Sequence, residues 1–253
     1  TPRRFAEGAV PAGTLGVLAD PHEIANVAGT LGIKALIQSS KDLPLEVFWA
    51  VPSCVPATSE VLETSGSVFT LDSVREVKSF SPRVIAIGEV MDYVSLLQDD
   101  SRLAEILAWA HSEGMVVDGH CPSLSGANRQ LYFAQGIHGD HTLMTPEKIL
   151  AEISAGVWVE LQDKSLTPEN VEVVNGLADR SHVLIVTDDY SPHHFVNGHL
   201  NTLVAKAIAL GMPPLEAIAS ASYRPACYLR QPDLGMIAPG RWANLFLTSD
   251  LCT

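Results

Sequence analysis

Positive charge is scarce in this 253-residue chain: 16 Lys and Arg stand against 29 Asp and Glu, a formal net charge of -13. No segment gathers Lys and Arg into a patch. A phosphate backbone or an anionic lipid surface is therefore a poor electrostatic partner, which argues against polymeric nucleic acid and membranes but leaves a free base open. Cysteine is scarce too. Cys54, Cys121, Cys227 and Cys252 lie far apart and form no C-x-x-C pair. Neither a disulfide framework nor a zinc knuckle is expected, and reduced thiols fit a cytoplasmic protein. No apolar run approaches the roughly 18 residues that cross a bilayer, and the opening TPRRFAEG lacks an apolar secretory segment. Solenoid repeats and low-complexity tracts are absent.

What the chain does have is core material in an alternating order. Its 47% hydrophobic content is enough for one large α/β domain with a small appendage. Apolar runs at 14–20, 45–53, 137–140, 157–161 and 183–188, with two more ending at Glu89 and His120, read as strands. Between them, 29–40, 71–80, 101–113, 127–135, 146–155 and 168–178 read as helices; in 101–113, Leu103, Ile106, Leu107 and Ala110 have amphipathic spacing. Period-two alternation is weak in the strands, as it is when helices cover both faces of a parallel sheet. The pattern predicts an α/β domain of the (β/α)8 TIM-barrel-like kind over 1–230. With seven strand candidates and no initiating Met, the first barrel strand is expected to lie upstream of Thr1. Helices at 200–210 and 214–221 follow. LGMIAPGRWANLFLTSD, with turn signals before a β-rich run, is expected to open a small β domain at 231–253.

Four of the strand candidates end on residues that ligate metals: VIAIGE at Glu89, MVVDGH at His120, IHGDH at His141 and VLIVTD at Asp188. Barrel enzymes build their sites from strand C-terminal ends, because every βα loop opens at the same face. A single His at a strand end is usually a hydrogen-bonded structural residue; four such endings in phase point to a site. Oxygen and nitrogen ligands without thiolate suit Mn²⁺, Fe²⁺ or Zn²⁺, and a bridging carboxylate permits a binuclear centre. Asp20, His22 and Glu23 close the first visible strand in ADPHEIANV. They read either as a helix start with Asp20 capping or as a second chemical cluster at the same face. In VPSCVPAT, no base neighbours Cys54, so a rigid pocket wall is expected there rather than a nucleophile.

The segments ADPHEIANVAG, AVPSCVPAT, ETSG, IGEVMD, VDGHCPSLSG, GDH and VTDD, followed by LGMIAPGRWANL, resemble the bacterial adenine deaminases of the amidohydrolase superfamily. The resemblance runs nearly end to end. It implies hydrolytic deamination of adenine to hypoxanthine and ammonia in purine salvage, at a divalent and expectedly binuclear metal centre of Mn²⁺ or Fe²⁺, with Zn²⁺ as an alternative. Position by position it makes Glu89 the carboxylate shared by two metals, His120 and His141 imidazole ligands, and Asp188 both a ligand and the base. Glu23 is the expected proton donor to the ring; Asp20, His22, Ser125 and Asp189 are expected substrate contacts. Homo-oligomerisation is left open.

Departures from the family pattern carry expectations of their own. The superfamily's His-x-His pair on the first strand is absent, and His193 and His194, adjacent in a loop, do not replace it. The isolated chain is thus expected to hold metal weakly and turn over little, and the longer parent protein to be active. Tyr190, His193 and His194 stand where relatives often carry Arg or acidic residues, and read as pocket-mouth variation or a solvated loop. Cys121 is expected to pack. His111, His138 and His182 receive no function. The alternatives are another amidohydrolase, acting on a cyclic amide or a different aminopurine, and a catalytically incomplete binding paralogue. No strand end offers a carboxylated Lys, which favours the deaminase.

Overall fold

Regular structure begins with α1 (Pro2–Ala9), which buries Ala6 and Ala9. This computed structural model describes residues 1–58, 62–98, 101–248 and 250–251; Cys252 lies outside them. Contacts divide the chain into two units, Thr1–Arg4 with Gly16–Gly139, and Phe5–Leu15 with Asp140–Thr253.

The first unit is a run of β/α crossovers. β1 (Gly16–Ala19), α2 (His22–Ser39), β2 (Glu46–Val51), α3 (Leu71–Ser79), β3 (Val84–Val90), α4 (Tyr93–Leu97), α5 (Ser101–Ser112), β4 (Val116–Gly119) and α6 (Gly126–Ala134) follow in order. The strands form one sheet in the order β1-β2-β3-β4, and every pair is parallel. Parallel pairing puts all four C-terminal ends on one edge, the edge where Asp20, Glu89 and His120 occur in sequence. Five successive residues of β2 are buried, which explains its lack of alternation: both faces are covered. On α5, Leu103, Ile106, Leu107 and Ala110 are all buried, as their spacing predicts. Helix α2 starts seven residues ahead of the expected 29, because it is two pieces joined at a kink at Gly29. Gly29 has φ +58, and a Cβ there would lie 3.0 Å from Ser67 Oγ, so the kink requires glycine.

The second sheet has the order β5-β6-β7, from β5 (Gly139–Asp140), β6 (Trp158–Leu161) and β7 (Val183–Ile185). Between them lie α7 (Pro146–Ser154) and α8 (Pro168–Gly176). Both start on a Thr-Pro pair: Thr145 Oγ1 accepts from Lys148 N and Thr167 Oγ1 from Asn170 N, while the proline takes a position whose N–H would have no helical partner. The unit's core gathers Ile149, Val159, Leu161, Val171, Ile185 and Leu203. α9 (Leu200–Ala209), α10 (Pro214–Ala221) and α11 (Tyr223–Tyr228) complete the regular structure.

Seven strands occur among the described residues, the number expected, but several are shorter than the apolar runs. β7 ends at Ile185 rather than Asp188; Val186 N still donates to Leu161 O at 3.1 Å before the ladder stops. In 231–253, no strand forms among the described residues, and Phe246 and Leu247 are 62% and 100% exposed. A β-rich composition makes a strand only where a partner supplies ladder hydrogen bonds.

Candidate metal centre

In the first unit, the edge of the sheet brings four of the expected site residues together. Glu89 is the penultimate residue of β3, and His120 follows the last residue of β4. Their side chains meet, with Glu89 Oε2 2.6 Å from His120 Nδ1. Asp20 follows β1 and reaches across to β3, where its Oδ2 accepts a hydrogen bond from Glu89 N at 3.0 Å. The capping reading of Asp20 is therefore corrected: Pro21 occupies the N-cap of α2, no side chain caps the helix, and the Asp20 carboxylate serves β3 instead. Gly88 makes that reach possible. A Cβ at this position would lie 2.1 Å from Asp20 Oδ2 and 2.4 Å from its Cγ.

His22 stands among three carboxylates. Its Nδ1 is 3.6 Å from Asp20 Oδ2 and 3.5 Å from Glu89 Oε1, and its Nε2 is 3.5 Å from Glu23 Oε1. Asp20 pushes the imidazole up to about 9, against burial, which lowers it; Glu23 and Glu89 add to the lift. Glu23 lies in the first turn of α2, with its side chain 68% exposed. Ser125 occupies the exposed N-cap of α6 without capping it.

These residues suit a divalent cation. Ligand atoms of Asp20, His22 and Glu89 lie within 4.8 Å of one another. Asp20 Oδ1 and His22 Nδ1 are buried without a hydrogen-bond partner among the described residues, a deficit that a group bound at this edge would relieve. The donors are carboxylate oxygen and imidazole nitrogen, a set that Mn²⁺, Fe²⁺ and Zn²⁺ all accept.

Cys54 is fully buried beside this edge. Its Sγ lies 3.3 Å from Ser53 Oγ and accepts from Asp92 N at 3.4 Å. Burial pushes the thiol up, so it stays protonated and poorly nucleophilic, in keeping with a pocket wall. Sequence reasoning passed over Tyr132 on α6. This residue is fully buried, and its hydroxyl accepts from His120 N and donates to Val90 O, each at 2.8 Å. A tyrosine in a short helix gives no such signal; only folding shows where its hydroxyl arrives.

In the second unit, His141 follows β5, and its carbonyl oxygen accepts from Gln162 Nε2 at 2.7 Å. Beside it, the fully buried Asp140 accepts from Thr142 N at 3.0 Å and pairs with Lys148 Nζ at 2.6 Å. Asp188 lies three residues past β7 and is exposed, with φ 52. Asp adopts the left-handed region more readily than most residues, and an ordered residue held there is a feature of functional loops. Asp189 is exposed. His193 and His194 sit in a largely exposed 3-10 segment, Pro192–Val196, in keeping with the solvated-loop reading. Behind them Tyr190, Phe195 and Phe5 enclose His199, which is 2% exposed.

Comparison with known proteins bears on these features. An adenine deaminase of Clostridium perfringens (strain 13 / Type A) is 36% identical over 253 residues, spanning 99% of this chain and 43% of that protein. Adenine deaminase 2 of Carboxydothermus hydrogenoformans is 38% identical over 256 residues, 99% of this chain and 44% of that protein. The chain thus spans less than half the length of these curated relatives. A crystal structure of an adenine deaminase superposes with a TM-score of 0.66 at 16% identity, covering 94% of this chain and 69% of that one, which shows a shared fold. The α/β class and amidohydrolase fold expected from the sequence are both borne out. The model of the amidohydrolase family matches residues 1–251, and the chain belongs to that family.

Proposed function

We propose that this protein catalyses the metal-dependent hydrolysis of adenine to hypoxanthine and ammonia. The observation that carries the reading is the contact between Glu89 and His120 at adjoining strand ends, with Asp20 and His22 against the same carboxylate-bearing residue. Curated relatives named adenine deaminases, aligned along 99% of the chain, supply the substrate. The proposed ligands are Glu89, His120, His141 and Asp188, each at or beyond a strand's C-terminal end. Mn²⁺ or Fe²⁺ in a binuclear centre is the proposed cofactor, with Zn²⁺ as the alternative. Such an ion, when bound, lowers the pKa of a water toward ~7.

The remaining steps belong to side chains. Asp188 accepts one proton from the attacking water and passes it to the departing amine. Glu23, held beside His22, gives a proton to the ring nitrogen next to carbon 6, and regains one from the new hydroxyl as the carbonyl forms. One C–O bond forms and one C–N bond breaks, so adenine and water become hypoxanthine and ammonia. Asp20, His22, Ser125 and Asp189 are the proposed substrate contacts. The proposal places the catalytic domain in 1–230 and the start of a small β domain in 231–253, and the protein in cytoplasmic purine salvage. The net charge of -13 supports a small-molecule substrate over a nucleic-acid polymer. Among the described residues, no helix is long and apolar enough to cross a membrane.

The test is ammonia release by the full-length, Mn²⁺-loaded protein from adenine and other aminopurines. Release from adenine supports the proposal, and release from another base alone overturns the substrate. An E23Q variant that keeps its metal and full turnover removes Glu23 from the mechanism.

A further inference from the structure

We propose that Tyr132 is a positioning residue for the metal centre, its hydroxyl acting as the last rung between the two strands that carry Glu89 and His120. This inference rests on the ligand roles proposed above for those two residues.

The β3–β4 ladder is irregular where the site begins. Its register shifts between Ile87 and Val90, and the final pairing is Val90 with Gly119. Beyond Gly119 the sheet supplies no further rung. The Tyr132 hydroxyl takes that place, accepting from His120 N and donating to Val90 O, each at 2.8 Å. A hydroxyl can do both at once, because it has one proton and two lone pairs. One atom thereby ties the backbone of His120 to the residue following Glu89, and the side chains of these two residues meet at 2.6 Å.

The surroundings hold this hydroxyl in place. Tyr132 is fully buried, and its ring packs edge-on against Phe133 at 5.1 Å between centroids. Gly119 leaves the space it needs: a Cβ there would lie 3.1 Å from the hydroxyl and 2.4 Å from Gly139 O. A phenylalanine would fill the same volume and serve packing equally well, so the hydroxyl itself is what the strand ends use. Groups that orient metal ligands without touching the metal typically change affinity by about 10–100-fold when removed.

The experiment compares wild type, Y132F, L103A and E89A by titration with Co²⁺ alone, followed by visible absorption, with circular dichroism to check folding. Leu103 is a buried α5 residue outside the β3 and β4 strands, so its truncation serves as the stability control. The expected result is a Co²⁺ Kd about 10–100-fold higher for Y132F, with an altered spectrum, and unchanged affinity for L103A. Unchanged affinity and spectrum in Y132F, even with a lowered Tm, overturn the positioning role. Unchanged Co²⁺ binding by E89A instead overturns the ligand assignment beneath it. Hydrogen exchange on the wild type requires no variant: the His120 amide is expected to be protected, and free exchange there overturns the bridge.

Discussion

Gly88→Ala tests whether Asp20 is built into the site through β3. In an ordinary strand, replacing Gly by Ala at a permissive φ stabilises by about 0.4–1 kcal/mol, because the unfolded chain loses freedom. Here the new Cβ would fall 2.1 Å from Asp20 Oδ2 and 2.6 Å from its Oδ1, so the carboxylate has to leave. Its departure breaks the bond from Glu89 N, a charge-assisted hydrogen bond worth roughly 1.5–3 kcal/mol. The expected net loss is about 1–3 kcal/mol, a Tm decrease on the order of 2–10 °C for a chain of this size. Asp20→Ala removes the same bond and is expected to cost about as much. The decisive measurement is the double variant. With Asp20 truncated, the methyl introduced by Gly88→Ala enters vacated space, so the two changes together are expected to cost no more than D20A alone. Urea denaturation of wild type, both single variants and the double variant yields a coupling energy of about 1.5–3 kcal/mol. Additive losses would refute the claim that Gly88 exists to admit Asp20.

Two further outcomes follow from buried charge. Burial holds His199 down at about 4, below its ordinary 6.5, so between these values the unfolded chain binds the extra proton. Stability is therefore complete above about pH 6.5 and is lost as pH falls toward 4, by up to ~3 kcal/mol at ~1.36 kcal/mol per unit. Urea unfolding at pH 7 and 4.5 checks this, and a H199Q variant is expected to show a flatter profile; an equal slope in that variant assigns the effect elsewhere. Lys148 Nζ lies 2.6 Å from Asp140 and 3.8 Å from Glu152, both fully buried. Lys148→Met is expected to cost about 3–5 kcal/mol, because it removes the cation that stands between two buried carboxylates; a loss under about 1 kcal/mol by chemical denaturation would contradict that account.

The strand ends were readable because a parallel β/α chain repeats one local instruction, an apolar run followed by a polar end. Glu89, His120 and His141 fall at or beside observed strand ends for that reason. Asp188 does not: the ladder stops at Ile185, and the left-handed turn at 188 belongs to a loop whose path no periodicity encodes. The Asp20 cluster fits a helix cap as well as a site on local grounds, since Asp-Pro-x-Glu satisfies the helix rules. That reading lost to a contact 69 positions away in the chain, with Glu89 N. The β-rich tail after 231 is the converse case, composition without a ladder partner among the described residues.

By itself, the sequence determined the order of strands and helices, the amphipathic faces and the residue types at the strand ends, because each depends on neighbours a few positions apart. Tertiary structure alone decided that Asp20 serves Glu89 rather than α2, that Gly88 and Glu89 are one feature, and that Tyr132 joins two strand ends. Each of these rests on atoms brought within about 3 Å from distant parts of the chain. Hydrogen bonding and steric exclusion act only at such distances, and folding is what sets them.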